Sequence, residues 1–359
     1  MKRIKGLIMK VILLAPTPPP IGGIAMWTMR MMNAKLKNNW TVDVVDEKVI
    51  GKREVYGDNV KRNLGDEVKR CLKIWVDLFN KLSDKDVKVV HSCIPASTTS
   101  IIREIVCALI TKLRRRAFIV HFRCTVPNMV KTDLNKIVLK WICNLSDCVM
   151  VLNKQSEDYV NNLSSTRTEL IPNFIEIKEL ETSHKINEKI ERVLYVGGVI
   201  ESKGCLDLIE LAKYFTDIEF RLIGNYESQI KKAADSVNNV VLLGAQPHEK
   251  VHDEMMKADV FAFIGSFPGE GFSNALAEAM ACGLPCLVSD WAANKDMIED
   301  KGGIVIPVKD IDAAKNAIEL MDNPSLREKQ SSYNMNKVKN NYSEEIVLNQ
   351  YVDCYERTI

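Results

Sequence analysis

The sequence predicts an α/β protein built as two doubly wound parallel sheets, and three observations carry that expectation. Short runs rich in β-branched and aromatic residues alternate with helical periodicity along the whole chain. At 359 residues the chain is long enough for two domains of ordinary size. With 46% hydrophobic and 27% charged residues it has the composition of a packed globular protein.

In the first half, strands are expected at 11–15, 40–45, 87–91, 117–121 and 148–152, with helices near 24–36, 60–82, 98–114, 132–145 and 154–163. The first strand runs through a proline-rich turn into Gly22 and Gly23 and then a helix. A helix N-terminus after a glycine turn offers backbone N–H groups and a positive dipole end to an anion. The turn is not Gly-x-Gly-x-x-Gly, which argues against a nicotinamide dinucleotide. Two expected strands end in histidine, His91 and His121. The apolar helix at 101–113 closes on Lys112, Arg114, Arg115 and Arg116, which either complement the helix dipole or face an anionic membrane.

The charged, helix-poor stretch 176–191 reads as a linker. Beyond it, strands are expected from 192 and at 219–223, 240–243, 260–264, 285–289 and 303–307, with closing helices near 310–322, 325–340 and 343–357. The stretch 258–290 is the most informative. An apolar strand leads into a loop punctuated by Gly265, Pro268, Gly269 and Gly271, and Ser273 is placed to cap a helix that Gly283 ends. Glu278 is the single charged side chain between Gly271 and Ser289, and a carboxylate buried there without a partner costs several kcal/mol, to order of magnitude. Glu270 stands eight residues earlier, just past the strand's C-terminal end, where open α/β sheets bind ligands.

Charge and cysteine content narrow the setting. Residues 1–172 hold 29 Lys and Arg against 16 Asp and Glu, a balance of +13, and the remainder carries −11. That asymmetry points to an anionic surface near the first half, but no basic stretch is interleaved with stacking aromatics, so nucleic acid is not expected. Ten cysteines are scattered without a Cys-x-x-Cys pair, which fits thiols in a reducing cytosol, and the five histidines form no spacing typical of metal ligands. No apolar run is long enough to span a membrane. Lys10 interrupts the apolar start, which argues against a signal peptide, and Met9 is an alternative start to Met1. The cytosol is the expected compartment.

The pattern Glu270-x7-Glu278 followed by Ala-Met-Ala-x-Gly-x-Pro resembles the donor site of retaining GT-B glycosyltransferases, specifically family 4. The Gly-Gly-Ile turn at Gly22, the Ile171-Pro172-Asn173 turn and Lys203 in Val-Ile-Glu-Ser-Lys-Gly extend the resemblance over nearly the whole chain. It implies two Rossmann-like domains facing a cleft: an acceptor domain over 1–175, a linker over 176–191, a donor domain over 192–342, and a helix over 343–359 crossing back to the first. The implied activity is transfer of a hexose-type sugar from a nucleotide diphosphate sugar, UDP favoured, to a glycan or lipid-linked glycan, with no cofactor and no metal. The implied donor site is Gly22, Gly23, Lys203, Gly244, Ala245, Glu270, Gly271, Phe272, Ser273, Asn274 and Glu278. Within it Glu278 holds the ribose and Glu270 the transferred sugar, while His121, Glu270 and Lys203 form the catalytic set. The family usually has arginine where this chain has Gly198, which removes one of two expected diphosphate cations. An epimerase on the same fold and a binding protein without catalysis are the alternative readings.

Overall fold

The computed structural model describes residues 8–19, 22–48, 63–176 and 184–359. The chain divides into two units, Met1–Asn173 with Val347–Ile359, and Phe174–Ile346. Met1, Pro20 and Ile21, and residues 177–183 of the expected linker, lie outside the described residues.

The first unit is built on six parallel strands: β1 (Met9–Ala15), β2 (Trp40–Asp46), β3 (Val87–Ile94), β4 (Ala117–Phe122), β5 (Cys148–Val151) and β6 (Thr168–Leu170), in the order β2-β1-β3-β4-β5-β6. Residues 11–15 are all fully buried, because helices cover both faces and the strand must be apolar on each. β3 and β4 run past the histidines expected at their ends, since pairing continues through Ser92↔Val120, Cys93↔His121 and Ile94↔Phe122. The helices are α1 (Gly23–Asn33), α2 (Leu64–Lys81), α3 (Thr98–Leu113), α4 (Val126–Met129), α5 (Asp133–Leu145) and α6 (Lys154–Leu163). Asn63 caps α2 by accepting from the Gly65 N–H, and Thr132 caps α5 by accepting from Asn135.

Helices α2, α3 and α5 pack side by side over one face of the sheet. Ile74 and Leu78 of α2 point into that core, as do Val138, Leu139 and Ile142 of α5. The opposite side of the layer departs from the usual amphipathic pattern. Val68, Leu72, Val76 and Phe79 are exposed along α2, Leu109 and Leu113 on α3, and Ile137 and Trp141 on α5.

The second unit repeats the architecture with β7 (Arg192–Val196), β8 (Glu219–Ile223), β9 (Val240–Gly244), β10 (Val260–Phe263), β11 (Cys286–Ser289) and β12 (Gly303–Ile306), ordered β12-β11-β10-β7-β8-β9. Its helices are α7 (Cys205–Ala212), α8 (Ser228–Ala234), α9 (His248–Lys257), α10 (Asn274–Ala281), α11 (Asn294–Ile298), α12 (Ile311–Met321) and α13 (Pro324–Asn341). A last helix, α14 (Glu344–Thr358), lies mostly in the first unit's segment. Strand order reverses between β7 and β10, so the loops leaving these two strands flank the crevice where such sheets take ligands.

Candidate active site

Two glycines bring the loops after β7 and β10 into backbone contact. Gly204 has φ +78°, and a Cβ there would stand 2.8 Å from Ile264 C and Gly265 N. A Cβ on Gly265 would meet the Lys203 backbone at 2.4 Å, so neither position accepts a side chain without displacement. Lys203 closes a short 3-10 turn, Glu201–Lys203, and its Nζ reaches Glu270 Oε2 at 3.3 Å. The ammonium also stands 5.3 Å from the Phe267 ring centre. Both partners of the pair are mostly shielded, with side-chain exposures of 22% and 14%.

Glu270 is followed at once by the start of α10. Ser273 caps that helix by accepting from the Leu276 N–H. Gly271, Phe272 and Ser273 are buried and Asn274 is half-buried. Phe272 packs edge-on against Tyr342 at 5.2 Å. Glu278 lies one turn further along α10, and its Oε1 is 3.9 Å from His248 Nε2 at the start of α9. Gly244, with φ +67°, and the exposed Ala245 form the loop leading to that histidine. Gly198 gives its carbonyl to the Tyr195 hydroxyl at 2.9 Å, and a Cβ at Gly198 would meet nothing within 4 Å.

In the first unit Gly22 and Gly23 start α1 with no side-chain cap. His121 is fully buried in a polar cluster gathered from five segments. Its Nδ1 is 3.1 Å from His91 Nε2, and His91 Nδ1 is 2.8 Å from the Tyr355 hydroxyl. The Arg123 guanidinium lies over Trp27 at 4.5 Å, approaches the His121 ring at 3.4 Å, and donates to Asn173 Oδ1 at 2.6 Å. Burial first, and then the Arg123 charge, hold His91 down at about 3 and push His121 well below the usual histidine range. Both imidazoles are therefore neutral near pH 7.

These units match known proteins. Residues 176–337 fit the family model of glycosyl transferases group 1. Most of the second unit is thus similar to the group 1 glycosyl transferases. A Campylobacter jejuni N-acetylgalactosamine-N,N'-diacetylbacillosaminyl-diphospho-undecaprenol 4-alpha-N-acetylgalactosaminyltransferase is 27% identical over 206 residues, 52% of this chain and 55% of that protein. A Propionibacterium freudenreichii phosphatidyl-myo-inositol mannosyltransferase is 23% identical, over 65% of this chain and 59% of that protein. The chain thus spans about half the length of the curated relatives it matches. In fold it is similar to sucrose-phosphate synthase from Thermosynechococcus elongatus, with TM-score 0.77 and 18% identity over 97% of this chain and 98% of that one. Anabaena HepE in complex with UDP has TM-score 0.74 and 14% identity over 98% and 100%. These likenesses place the two parallel sheets in the GT-B fold.

The structure joins Lys203 to Glu270, while Glu278 is set beside His248 instead. Sequence reasoning missed His248, which reaches Glu278 only through the fold, and Phe267, which lies in the Glu270 loop but meets Lys203 only once the two loops touch. It also found no cluster of metal-ligand residues, whereas His91, Cys93 and His121 each bring a ligand atom within 4.8 Å of the others. Parallel pairing opposes Cys93 to His121, with His91 two residues back on the same face. The chemistry fits a divalent ion poorly, since Arg123 is a fixed cation beside the ring and burial pushes the Cys93 thiol up to about 12.

Proposed function

We propose that the protein is a retaining glycosyltransferase, moving a hexose-type sugar from a nucleotide diphosphate sugar, UDP favoured, to a glycan or lipid-linked glycan acceptor. The observation that carries this reading is the meeting of Lys203 and Glu270 at the strand-order reversal, directly before the N-terminus of α10. A lysine and a set of helix amides suit a leaving diphosphate, whose charge grows as the glycosidic bond breaks. These groups would meet that charge without a metal. Glu270 would accept a hydrogen bond from a hydroxyl of the transferred sugar, and Glu278 would accept from the ribose. A neutral His121 would act as a hydrogen-bond partner at the reaction centre rather than as a store of positive charge. The relatives' names support the reading, since one transfers a sugar onto a diphospho-undecaprenol-linked glycan and another acts on phosphatidyl-myo-inositol. Such an acceptor would place the protein at the inner face of the plasma membrane. No observation favours the epimerase or the binding-only alternative.

Calorimetric titration and turnover of paired variants test this reading. Glu278→Ala is expected to weaken both free UDP and the UDP-sugar, whereas Glu270→Ala keeps UDP affinity and loses turnover. Each lost hydrogen bond to a charged group is worth about 1.5–3 kcal/mol, or roughly 10- to 150-fold. Chelator should leave the titrations unchanged. Wild-type affinity and turnover in both variants would refute the assignment.

Gly198→Arg supplies a second expectation. The position has room for a side chain, and an arginine there would restore the cation that the family pattern carries. Affinity for UDP is expected to rise about tenfold and to become more sensitive to salt. An unchanged affinity would mean that position 198 does not face the phosphates.

A further inference from the structure

The outer face of the α2-α3-α5 layer is apolar where a helix layer facing water is polar. Single exposed hydrophobics need no explanation, but a stripe continued across three neighbouring helices does. Leu113 is 75% exposed and Trp141 59%. The exposed charged side chains on these helices are Lys69, Lys73, Lys112, Lys136 and Lys140, against Asp133 alone. At the rim the Arg114 guanidinium lies 3.9 Å over the Phe79 ring, and Lys112 is paired with Asp147 at 2.5 Å. The four-residue basic cluster at the end of α3 is thus partly engaged within the protein, and the lysines along the helix faces carry the exposed charge.

We propose that this three-helix face lies on a bilayer containing anionic phospholipid, with its apolar side chains at the boundary of headgroups and acyl chains and its lysines at phosphate level. Apolar residues flanked by lysine, with an exposed tryptophan, are the composition of helices that lie in a membrane interface. Among the described residues no helix is long and apolar enough to cross a membrane. Charge selects the occupant. A second copy of the chain would set two lysine rims against each other, whereas anionic headgroups neutralise them. The purpose of the contact rests on the reading of the protein as a transferase for a lipid-linked acceptor; its occurrence rests only on the face itself.

Flotation of the full chain with vesicles tests the proposal. Binding is expected with equal parts phosphatidylcholine and phosphatidylglycerol, and is expected to fall with phosphatidylcholine alone and with rising salt. Trp141 emission should shift to the blue and be quenched by brominated lipid, and this component should vanish in Trp141→Phe. Combining Leu72→Glu, Leu109→Glu and Ile137→Glu, all at exposed positions, should lower partitioning by about tenfold or more while UDP titrates as in wild type. Changing Lys69, Lys73, Lys136 and Lys140 to glutamine should weaken binding and flatten its salt dependence. The proposal is overturned if wild type binds neither vesicle, if the glutamate variant binds equally well, or if the free protein is a dimer that Leu72→Glu splits. Vesicle binding without UDP binding would overturn the donor-site reading and leave this one standing.

Discussion

Lys203→Ala is expected to lower sugar transfer by about 10²–10³-fold, the largest single effect at the donor site. The structure brings the ammonium to Glu270, 3.3 Å from its Oε2. A diphosphate entering beside it would take over a charge that Glu270 engages without ligand. Removing Lys203 therefore has two consequences: the leaving group loses its cation, and the mostly shielded Glu270 loses the ammonium opposite it. The double variant Lys203→Ala/Glu270→Gln separates them. If the phosphate role dominates, the double variant turns over no faster than Lys203→Ala; if the stranded carboxylate dominates, removing its charge restores part of the rate. UDP affinity should fall more than UMP affinity, because the lost contact is to the distal phosphate. Equal losses for UDP and UMP would place Lys203 away from the diphosphate.

How much of this site could be read from the sequence depended on whether its parts are neighbours along the chain. Glu270, Ser273 and Glu278 belong to one strand-loop-helix segment, so local rules place them, and the Ser273 cap forms on Leu276 as those rules require. Lys203 could be placed only through the family resemblance. Its position depends on Gly204 and Gly265 touching from different loops, and a glycine in a sequence does not name the backbone it will meet. The first unit's cluster was illegible for the same reason. His91, Trp27 and Tyr355 come from elements far along the chain from His121 and Arg123, and only the strand register and the return of α14 assemble them. The outer face of α2 was missed for another reason. Its apolar residues form one wide arc, and periodicity does not say how much of such an arc the sheet will cover: Ile74 and Leu78 are buried while Leu72 and Val76 are exposed.

The buried histidine pair is expected to make the first unit lose stability as pH falls below about 6.5, the ordinary histidine value. In the unfolded chain each imidazole takes a proton below that pH. In the fold, burial and Arg123 keep His91 neutral down to about 3, and burial, Arg123 and His91 hold His121 well below its ordinary value. The groups facing the pair are Arg123, Trp27, Tyr351, Tyr355 and Cys93, so the described contacts give neither proton a carboxylate. The unfolded state then binds more protons between the two values, which makes stability rise with pH. The stabilisation is complete above about 6.5 and is lost progressively as pH drops toward 3. Each histidine contributes a slope of about 1.4 kcal/mol per pH unit, and the two together roughly twice that. Urea unfolding followed by tryptophan emission reports mainly on this unit, because Trp27, Trp40, Trp75 and Trp141 lie in it. Between pH 6.5 and 4.5 the wild type should lose several kcal/mol, and His91→Gln/His121→Gln should show a much flatter dependence from a lower starting stability. Parallel pH profiles for the two proteins would show that the pair is not held neutral, and with it would go the assignment of His121 as an uncharged partner at the reaction centre.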